Sequence, residues 1–301
     1  GDFDALFYDI DIAIDPGPET VSGEVTMRAA STVDGLTGVV LNFFDNMTID
    51  SVTRNTTPLS YSHASDLITI TLDQSFDTGE VFEVTVQYHG SPVNNALDFS
   101  YHSGQPIISS LSEPNGAREW WPCKDRPDDK ADSARIALTV PDDLVAVSEG
   151  LLMSEVDNGD GTKTFEWFES YPITTYLVSV AITNYSKFTD YYHPAVGDSM
   201  PIDNYVYPED LSDAQIDLSI TADAIEFCAS IFGEYPFLEE KYGHAEFPWG
   251  GAMEHQTCTS YGAVLIRGDN YYDWILVHEL AHQWWGDWVT CATWDDICLN
   301  E

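Results

Sequence analysis

Two histidines four residues apart, with a glutamate after the first, are the residues best suited to chemistry. They stand in the run His278-Glu279-Leu280-Ala281-His282. On a helix, residues four apart lie one turn above each other on the same face, so both imidazoles can reach one zinc ion at about 2.0–2.1 Å. Glu279 is rotated by about 100° from His278 around the helix. Its carboxylate can therefore miss the metal and accept a proton from metal-bound water.

A third ligand is available nineteen residues after His282, where Glu301 stands. If the chain turns back past the helix, this carboxylate completes a set of two histidines and one glutamate. Such a set leaves a fourth position on zinc for water, which is typical of a catalytic site. We therefore predict one Zn²⁺ per chain, held by His278, His282 and Glu301, with Glu279 as general base. The alternative is a buried helix whose histidines only pack against neighbouring tryptophans.

The composition limits the class of partner. The chain has 301 residues, of which 44% are hydrophobic and 13% aromatic, enough for a packed core. It carries 51 acidic and 11 basic residues, a net charge of −40, so nucleic acid is not expected as a partner. The acids are spread along the chain, which indicates a solvating acidic surface and an attraction for cationic ligands such as peptide N-termini. No apolar stretch of about eighteen residues occurs, so we predict no membrane span.

The cysteines and the first residues of the chain give information about the cellular compartment of the protein. The five cysteines include no CxxC pair, and their odd number argues against a disulfide framework. We expect mostly buried free thiols, with one bridge, for instance from Cys291, as the alternative. The chain begins without the basic and apolar regions of an export signal, which would then have been removed already or never existed. We predict a secreted or periplasmic protein, with the cytoplasm as the alternative, and the sequence does not determine the oligomeric state.

The elements that position these residues differ between the two parts of the chain. Roughly the first 190 residues have the period-two pattern of half-buried antiparallel strands, most clearly over residues 8–14, 67–72 and 82–88. Turn residues separate such runs, as in Asp157-Asn158-Gly159-Asp160-Gly161. We therefore predict a sandwich or saddle of β-sheets over residues 1–190.

The pattern then becomes helical. Apolar residues recur at helical spacing from Ser212, the expected N-cap, to Phe232. A second helix is expected over about residues 273–286 and carries the two histidines. A third should begin near Trp294. Residues 191–301 would then be the first part of a second domain.

Three stretches of sequence, in order along the chain, carry further motifs. They are Ser112-Glu113-Pro114 with Ala117-Arg118 and Trp121-Pro122-Cys123-Lys124-Asp125, then Gly251-Ala252-Met253-Glu254-His255, and finally the histidine motif up to Thr290 with Leu299-Asn300-Glu301. Together they resemble the zinc metalloaminopeptidases of the aminopeptidase N and leukotriene-hydrolase (gluzincin) family, in its N-terminal part only. The resemblance implies an all-β N-terminal saddle or sandwich domain followed by the start of an α+β, thermolysin-like catalytic domain.

The resemblance also implies roles for individual residues. Glu254 and Glu113 would bind the α-ammonium group of a peptide substrate, since two carboxylates beside a zinc pocket form a charge-assisted trap for a free amine. The other residues of the second motif would line the peptide: Gly251, Ala252, Met253 and His255. The implied function is a zinc-dependent aminopeptidase that hydrolyses the N-terminal residue from peptides, with zinc-bound water as nucleophile. Its partner is a peptide with a free N-terminus.

Several departures from the family pattern accompany the resemblance. His255 stands where the family has asparagine, which predicts a different or pH-sensitive contact with the substrate. Leu111 replaces a glutamine, and Cys298 replaces a common tryptophan and is expected to be buried. The family's oxyanion-stabilising tyrosine would lie beyond Glu301, so we expect little or no turnover from the 301 residues alone. The alternatives are a non-catalytic zinc- or peptide-binding module and an epoxide hydrolase of the same family.

Overall fold

The computed structural model describes residues 1–300 of the chain. They form two compact units, each assembled from several segments. The first unit comprises Gly1–Asp98, Ser110–Asp142 and Leu152–Val178, and the second comprises Phe99–Ser109, Asp143–Leu151 and the described chain from Ser179 onward. The division into residues 1–190 and 191–301 stays a prediction. Among the described residues, no helix has the length and apolar character needed to cross a membrane.

Strands dominate the chain up to residue 206, and helices occur mainly after it. The strands are β1 (Phe3–Asp15), β2 (Thr20–Ser31), β3 (Leu36–Asn42), β4 (Thr48–Arg54), β5 (Thr57–Pro58), β6 (Ser60–Ala64), β7 (Leu67–Phe76), β8 (Val81–Gly90), β9 (Leu97–His102), β10 (Gln105–Ser110), β11 (Ser133–Pro141), β12 (Val145–Val147), β13 (Leu151–Asp157), β14 (Thr162–Glu169), β15 (Ala181–Thr183), β16 (Ser186–Tyr192), β17 (Met200–Val206), β18 (Tyr242–Phe247), β19 (Ala252–Met253) and β20 (Thr259–Gly262). The helices are α1 (Leu211–Asp217), α2 (Thr221–Phe232) and α3 (Asp273–Ala281), with 3₁₀ turns at Ala117–Glu119, Thr175–Leu177, Leu218–Ile220, Ala263–Leu265 and Trp294–Leu299. An all-β part followed by the start of an α+β part confirms the expected fold class.

The first unit contains an eight-stranded and a three-stranded sheet. The larger has the order β13-β14-β11-β1-β2-β8-β4-β5, and the smaller has the order β3-β7-β6. The predicted strands over residues 8–14, 67–72 and 82–88 are confirmed as parts of β1, β7 and β8. Their alternation corresponds to burial, since Ile68 and Ile70 are fully buried while their neighbours along β7 are exposed. Each such isoleucine contributes about 1.5–3 kcal/mol to folding.

The second unit contains the sheet that supports the site. Its five strands have the order β16-β17-β18-β20-β19, beside a separate four-stranded sheet, β12-β15-β10-β9. Every residue of β18 and β20 is buried, and β18 runs parallel to both β17 and β20. Central parallel strands are covered on both faces, which explains their continuous burial. The short strand β19 is antiparallel to β20 and forms one edge.

The helices differ from the predictions at their ends. The helix expected from Ser212 to Phe232 is present, but the 3₁₀ turn at Leu218–Ile220 divides it into α1 and α2. Its first N-cap is Asp210, so the N-cap assignment of Ser212 is wrong. The helix expected to reach residue 286 ends at Ala281. Beyond Ala281 the bonding changes to the i→i−3 type, since the N–H of Gln283 donates to the carbonyl of Leu280 and the N–H of Trp284 to that of Ala281, each at 3.1 Å. Gly286 then adopts a φ of +128°, a conformation that favours glycine.

The cysteines are all free thiols, as expected, and four of the five are buried. The exception is Cys298, so the expectation that it would be buried is wrong. It belongs to the 3₁₀ turn Trp294–Leu299, which begins where the third helix was expected and contains no buried residue. Asp296 in this turn has non-helical backbone angles.

Candidate metal centre

The two histidines of the sequence motif converge at the end of α3. His278 lies in the last turn of the helix, and His282 is the first residue after it. Their Nε2 atoms are 3.2 Å apart. In a tetrahedral zinc site with bonds of about 2.0–2.1 Å, two ligand nitrogens stand about 3.3 Å apart. The spacing of the two rings therefore fits a single zinc ion.

The hydrogen bond of the second ring supports the same assignment. His282 Nδ1 lies 3.0 Å from the carbonyl oxygen of Trp285, which can only accept a hydrogen bond. Nδ1 must therefore carry the proton, and Nε2 keeps the lone pair that a metal requires. A hydrogen bond from the opposite ring nitrogen orients most zinc-binding histidines in this way. His282 is buried and held in place, whereas His278 is more open to solvent.

Two carboxylates lie beside His282. Glu254, Glu279 and His282 each offer one potential metal-ligand atom, and these three atoms lie within 4.8 Å of one another. All three residues are buried. Glu279 projects from α3, and Glu254 directly follows β19. The structure thus brings together four residues that the sequence assigned to one site, although their separate roles stay predictions. Imidazole nitrogens and carboxylate oxygens are donors that zinc accepts.

A pocket opens beside the histidine pair. It has a volume of about 220 Å³ and is lined by His278, Ala281, His282, Trp285, Leu299 and Asn300. The backbone N–H of Cys291 donates to Asn300 Oδ1 at 2.9 Å, which fixes the position of that buried asparagine. Glu301, the predicted third ligand, lies outside the described residues.

The second motif forms the edge of the five-stranded sheet. Ala252 and Met253 pair with Tyr261 and Ser260 of β20. The N–H of Gly262 donates to the carbonyl of Gly251 at 2.9 Å. A Cβ atom at position 262 would stand 2.3 Å from that carbonyl, so this close approach requires glycine. An edge strand can add an extended peptide through its free backbone groups.

His255 does not fit one of the expectations from the sequence. The residue is completely buried, and its Nδ1 lies 2.8 Å from Ser260 Oγ. Burial lowers the pKa of His255 to about 3, because the charged imidazolium would lose its hydration. The ring is therefore neutral near pH 7, and a pH-sensitive contact in that range is not supported.

Gln283 is a buried residue that the sequence analysis missed. Its Nε2 donates to the carbonyl of Glu254 at 3.2 Å and to Asp287 Oδ2 at 2.7 Å. Its Oε1 accepts from the N–H of Thr257 at 2.9 Å and from the Tyr235 hydroxyl at 3.2 Å. Gln283 thus ties the segment after β19 to the residue next to His282. The feature of the sequence that could have identified Gln283 is its position directly after His282.

The motif around Glu113 lies in the first unit, whereas the histidine motif lies in the second. Glu113 is half-buried, and its role toward an ammonium group stays a prediction. Several hydrogen bonds within the first unit hold the surrounding motif residues. In two of these bonds, Trp120 Nε1 donates to Ser112 Oγ at 3.1 Å, and Arg118 Nε donates to Asp125 Oδ2 at 2.6 Å.

Comparison with known families gives two matches along the chain. Residues 5–177 match the Peptidase M1 N-terminal domain, and residues 216–301 match the Peptidase family M1 domain. The first match alone covers more than half of the chain.

Individual relatives agree with these matches. Leucine aminopeptidase 2 of Aspergillus fumigatus is 27% identical over 300 residues, which cover 93% of this chain and 47% of that protein. Leucyl aminopeptidase of Saccharolobus solfataricus is 31% identical over 215 residues, covering 67% of this chain and 26% of that protein. A mutant M1 zinc metallopeptidase from Deinococcus radiodurans, solved with a Tyr-Ser-Ala substrate, superposes with a TM-score of 0.84 at 25% identity, over 99% of this chain and 68% of that chain. The chain spans less than half the length of these curated relatives.

Proposed function

Since the chain belongs to the M1 peptidase family, we propose that it forms the zinc- and N-terminus-binding part of an aminopeptidase. The observation that carries the proposal is the 3.2 Å approach of the His278 and His282 Nε2 atoms beside two buried carboxylates. The aminopeptidase names of the relatives and the peptide complex of the Deinococcus enzyme support it.

The residues have distinct roles in this proposal. His278 and His282 would hold the zinc ion, with Glu301 as third ligand. Zinc in such a site supplies Lewis acidity, which polarises a carbonyl and makes water more acidic. Glu279, which does not need to bind the metal, accepts the proton that the attacking water loses and then donates it to the leaving amine.

Glu254 accounts for the removal of a single residue. Its carboxylate is buried close to His282, where it can form a charge-assisted hydrogen bond with a substrate ammonium group. Binding the amine at a fixed distance from the histidine pair selects the first peptide bond. The edge strand β19 would hold the peptide backbone by strand addition. Cleavage of one N-terminal residue at a time follows from this arrangement.

The test uses the protein as its source organism makes it. Hydrolysis of leucine and alanine p-nitroanilides is compared with hydrolysis of the same compounds after N-acetylation, and zinc is quantified by mass spectrometry. We expect one zinc per chain, cleavage of the free amines only, and loss of activity with a chelator. Equal cleavage of acetylated and free substrates would contradict the proposal. One bound zinc without turnover would instead favour a non-catalytic binding module.

A further inference from the structure

The segment after β19 turns at a residue type that is unusual for its backbone conformation. The N–H of Cys258 donates to the carbonyl of His255 at 3.1 Å, and Thr257 between them has a φ of +60°. A positive φ at the third position of a turn is normally taken by glycine or asparagine. For a β-branched residue this conformation is strained, and it persists only where surrounding contacts enforce it. Thr257 is completely buried among such contacts.

The side chain of Thr257 receives two hydrogen bonds. Its Oγ1 accepts from the N–H of Gly150 at 2.9 Å and from Nζ of Lys241 at 3.2 Å. Lys241 is itself 1% exposed, and its Nζ also donates to the carbonyl of Ser148 at 3.2 Å. Glycine at position 257 would relieve the backbone strain, but it would also remove the oxygen that accepts from both of these buried donors. A hydroxyl is therefore needed at this point of the turn.

The same turn is attached to the end of α3. The N–H of Thr257 donates to Gln283 Oε1 at 2.9 Å, and Gln283 Nε2 donates to the carbonyl of Glu254 at 3.2 Å. Gln283 directly follows His282 in the sequence. The backbone at both ends of the segment from Glu254 to Thr257 is thus fixed to the neighbour of a proposed zinc ligand.

We propose that Thr257 and Lys241 are positioning residues for Glu254. By holding the strained turn, they fix the Glu254 carboxylate relative to the histidine pair. They thereby set how strongly the site prefers a free α-ammonium group over a blocked N-terminus. The inference rests on the proposed function, because Glu254 is taken as the group that binds the amine.

The test uses the protein as its source organism makes it and compares variants at position 257. Thr257→Val keeps the shape of the side chain and removes the acceptor, whereas Thr257→Ser keeps the hydroxyl. We measure KM and kcat on leucine p-nitroanilide, inhibition constants for L-leucine and N-acetyl-L-leucine, and zinc content. For Thr257→Val we expect a rise in KM of about tenfold, a smaller change in kcat, and full zinc content. The preference for L-leucine over its acetylated form should fall by a similar factor, and Thr257→Ser should restore it.

Thr221→Val is the matched control. Thr221 is buried at the start of α2, and its hydroxyl donates to the carbonyl of Leu218 at 2.7 Å, away from the turn. It should lower the unfolding temperature without changing KM or the preference for the free amine. If Thr257→Val does not fold, Thr257→Gly removes the same oxygen while relieving the strain, and the same change in KM is expected.

The experiment distinguishes failure of this inference from failure of the proposed function. If the unaltered protein discriminates free from acetylated ligands but the position 257 variants do so equally well, the inference is overturned and the proposed function stands. If the unaltered protein shows no such discrimination, the proposed function is overturned, and the inference with it.

Discussion

The two histidines of the candidate site are held differently, although they form one pair. His282 is buried, and its Nδ1–H is fixed by the carbonyl of Trp285, whereas His278 is more open to solvent beside the pocket. Removing a residue that only orients a zinc ligand typically weakens metal binding by about 10- to 100-fold. The loss of a ligand itself should exceed that range.

We therefore predict that His278→Ala and His282→Ala each weaken zinc binding by more than about 100-fold. Competition with a chromogenic chelator measures the affinity. His193→Ala is the control, because His193 is exposed in the same unit and its ring contacts Ser199 rather than the site. Zinc affinity that is unchanged in either site variant would show that the pair does not bind the metal.

The carboxylate of Glu254 leads to a prediction about substrate affinity. Glu254→Gln should raise KM for free-amine substrates by about 10- to 100-fold and leave zinc content unchanged, since the lost interaction is a charge-assisted bond to the ammonium group. Glu246→Gln is a matched control, because Glu246 is also buried but contacts Tyr207 rather than the histidines. A loss of zinc in Glu254→Gln would identify Glu254 as a metal ligand instead.

At the scale of elements, the sequence predicted the strands better than the helix ends. The alternation of apolar and polar residues in β1, β7 and β8 corresponds to buried and exposed positions in the structure. One face of each strand packs, and the other is in contact with solvent. Helical periodicity does not distinguish an α-helix from an α-helix interrupted by a single 3₁₀ turn, which is why the break at Leu218–Ile220 was missed. The end of α3 follows a change to shorter i→i−3 hydrogen bonds after Ala281, a property that periodicity does not encode.

The candidate site was predictable to the extent that local spacing determines it. The four-residue spacing of His278 and His282 brings their rings together at the end of α3, which favours a shared metal ion. The contacts of Gln283, Lys241 and Thr257 join residues far apart in the chain. Such contacts depend on how β18, β20 and α3 pack, and no single stretch of sequence contains that information.

Strand β18 carries a buried acid that makes stability depend on pH. Glu246 Oε2 accepts from the N–H of Tyr207 at 2.7 Å, yet burial, with the neighbouring Asp210, raises the pKa of Glu246 to about 9. The folded state therefore holds this proton more tightly than the unfolded state does. The stabilisation of the folded state by this group is fully present below pH 4.5, the ordinary pKa of a glutamate side chain. It is lost as pH rises toward 9.

We predict that the free energy of unfolding falls by up to about 1.4 kcal/mol per pH unit between about pH 6 and pH 8.5 through this one group. Glu246→Gln should remove that part of the slope, because the amide cannot ionise. Urea denaturation of both proteins across this range gives the measurement. Equal slopes in the two proteins would show that Glu246 is ionised throughout.

At the scale of the whole molecule, a net charge of −40 repels itself. The Debye length falls from about 10 Å at 0.1 M salt to about 3 Å at 1 M, so salt weakens this repulsion. We predict that raising NaCl from about 0.1 M to about 1 M increases the unfolding temperature by at least about 3 °C. KCl at the same ionic strength should give the same shift if screening is the cause. A falling unfolding temperature would mean that attractive ion pairs outweigh the repulsion.

The single exposed cysteine among the five makes the chain addressable by thiol chemistry. The other four thiols are buried, and burial raises the pKa of Cys258 to about 11, which suppresses its reactive thiolate. A maleimide fluorophore should therefore attach to Cys298 faster than to the other four of these cysteines, without any engineered residue. Since Leu299 and Asn300 line the pocket beside His278, a dye at that position stands next to the entrance. Energy transfer from the exposed indole of Trp285 to this dye would then report ligand entry as a change in fluorescence. The measurement needs no chromogenic substrate.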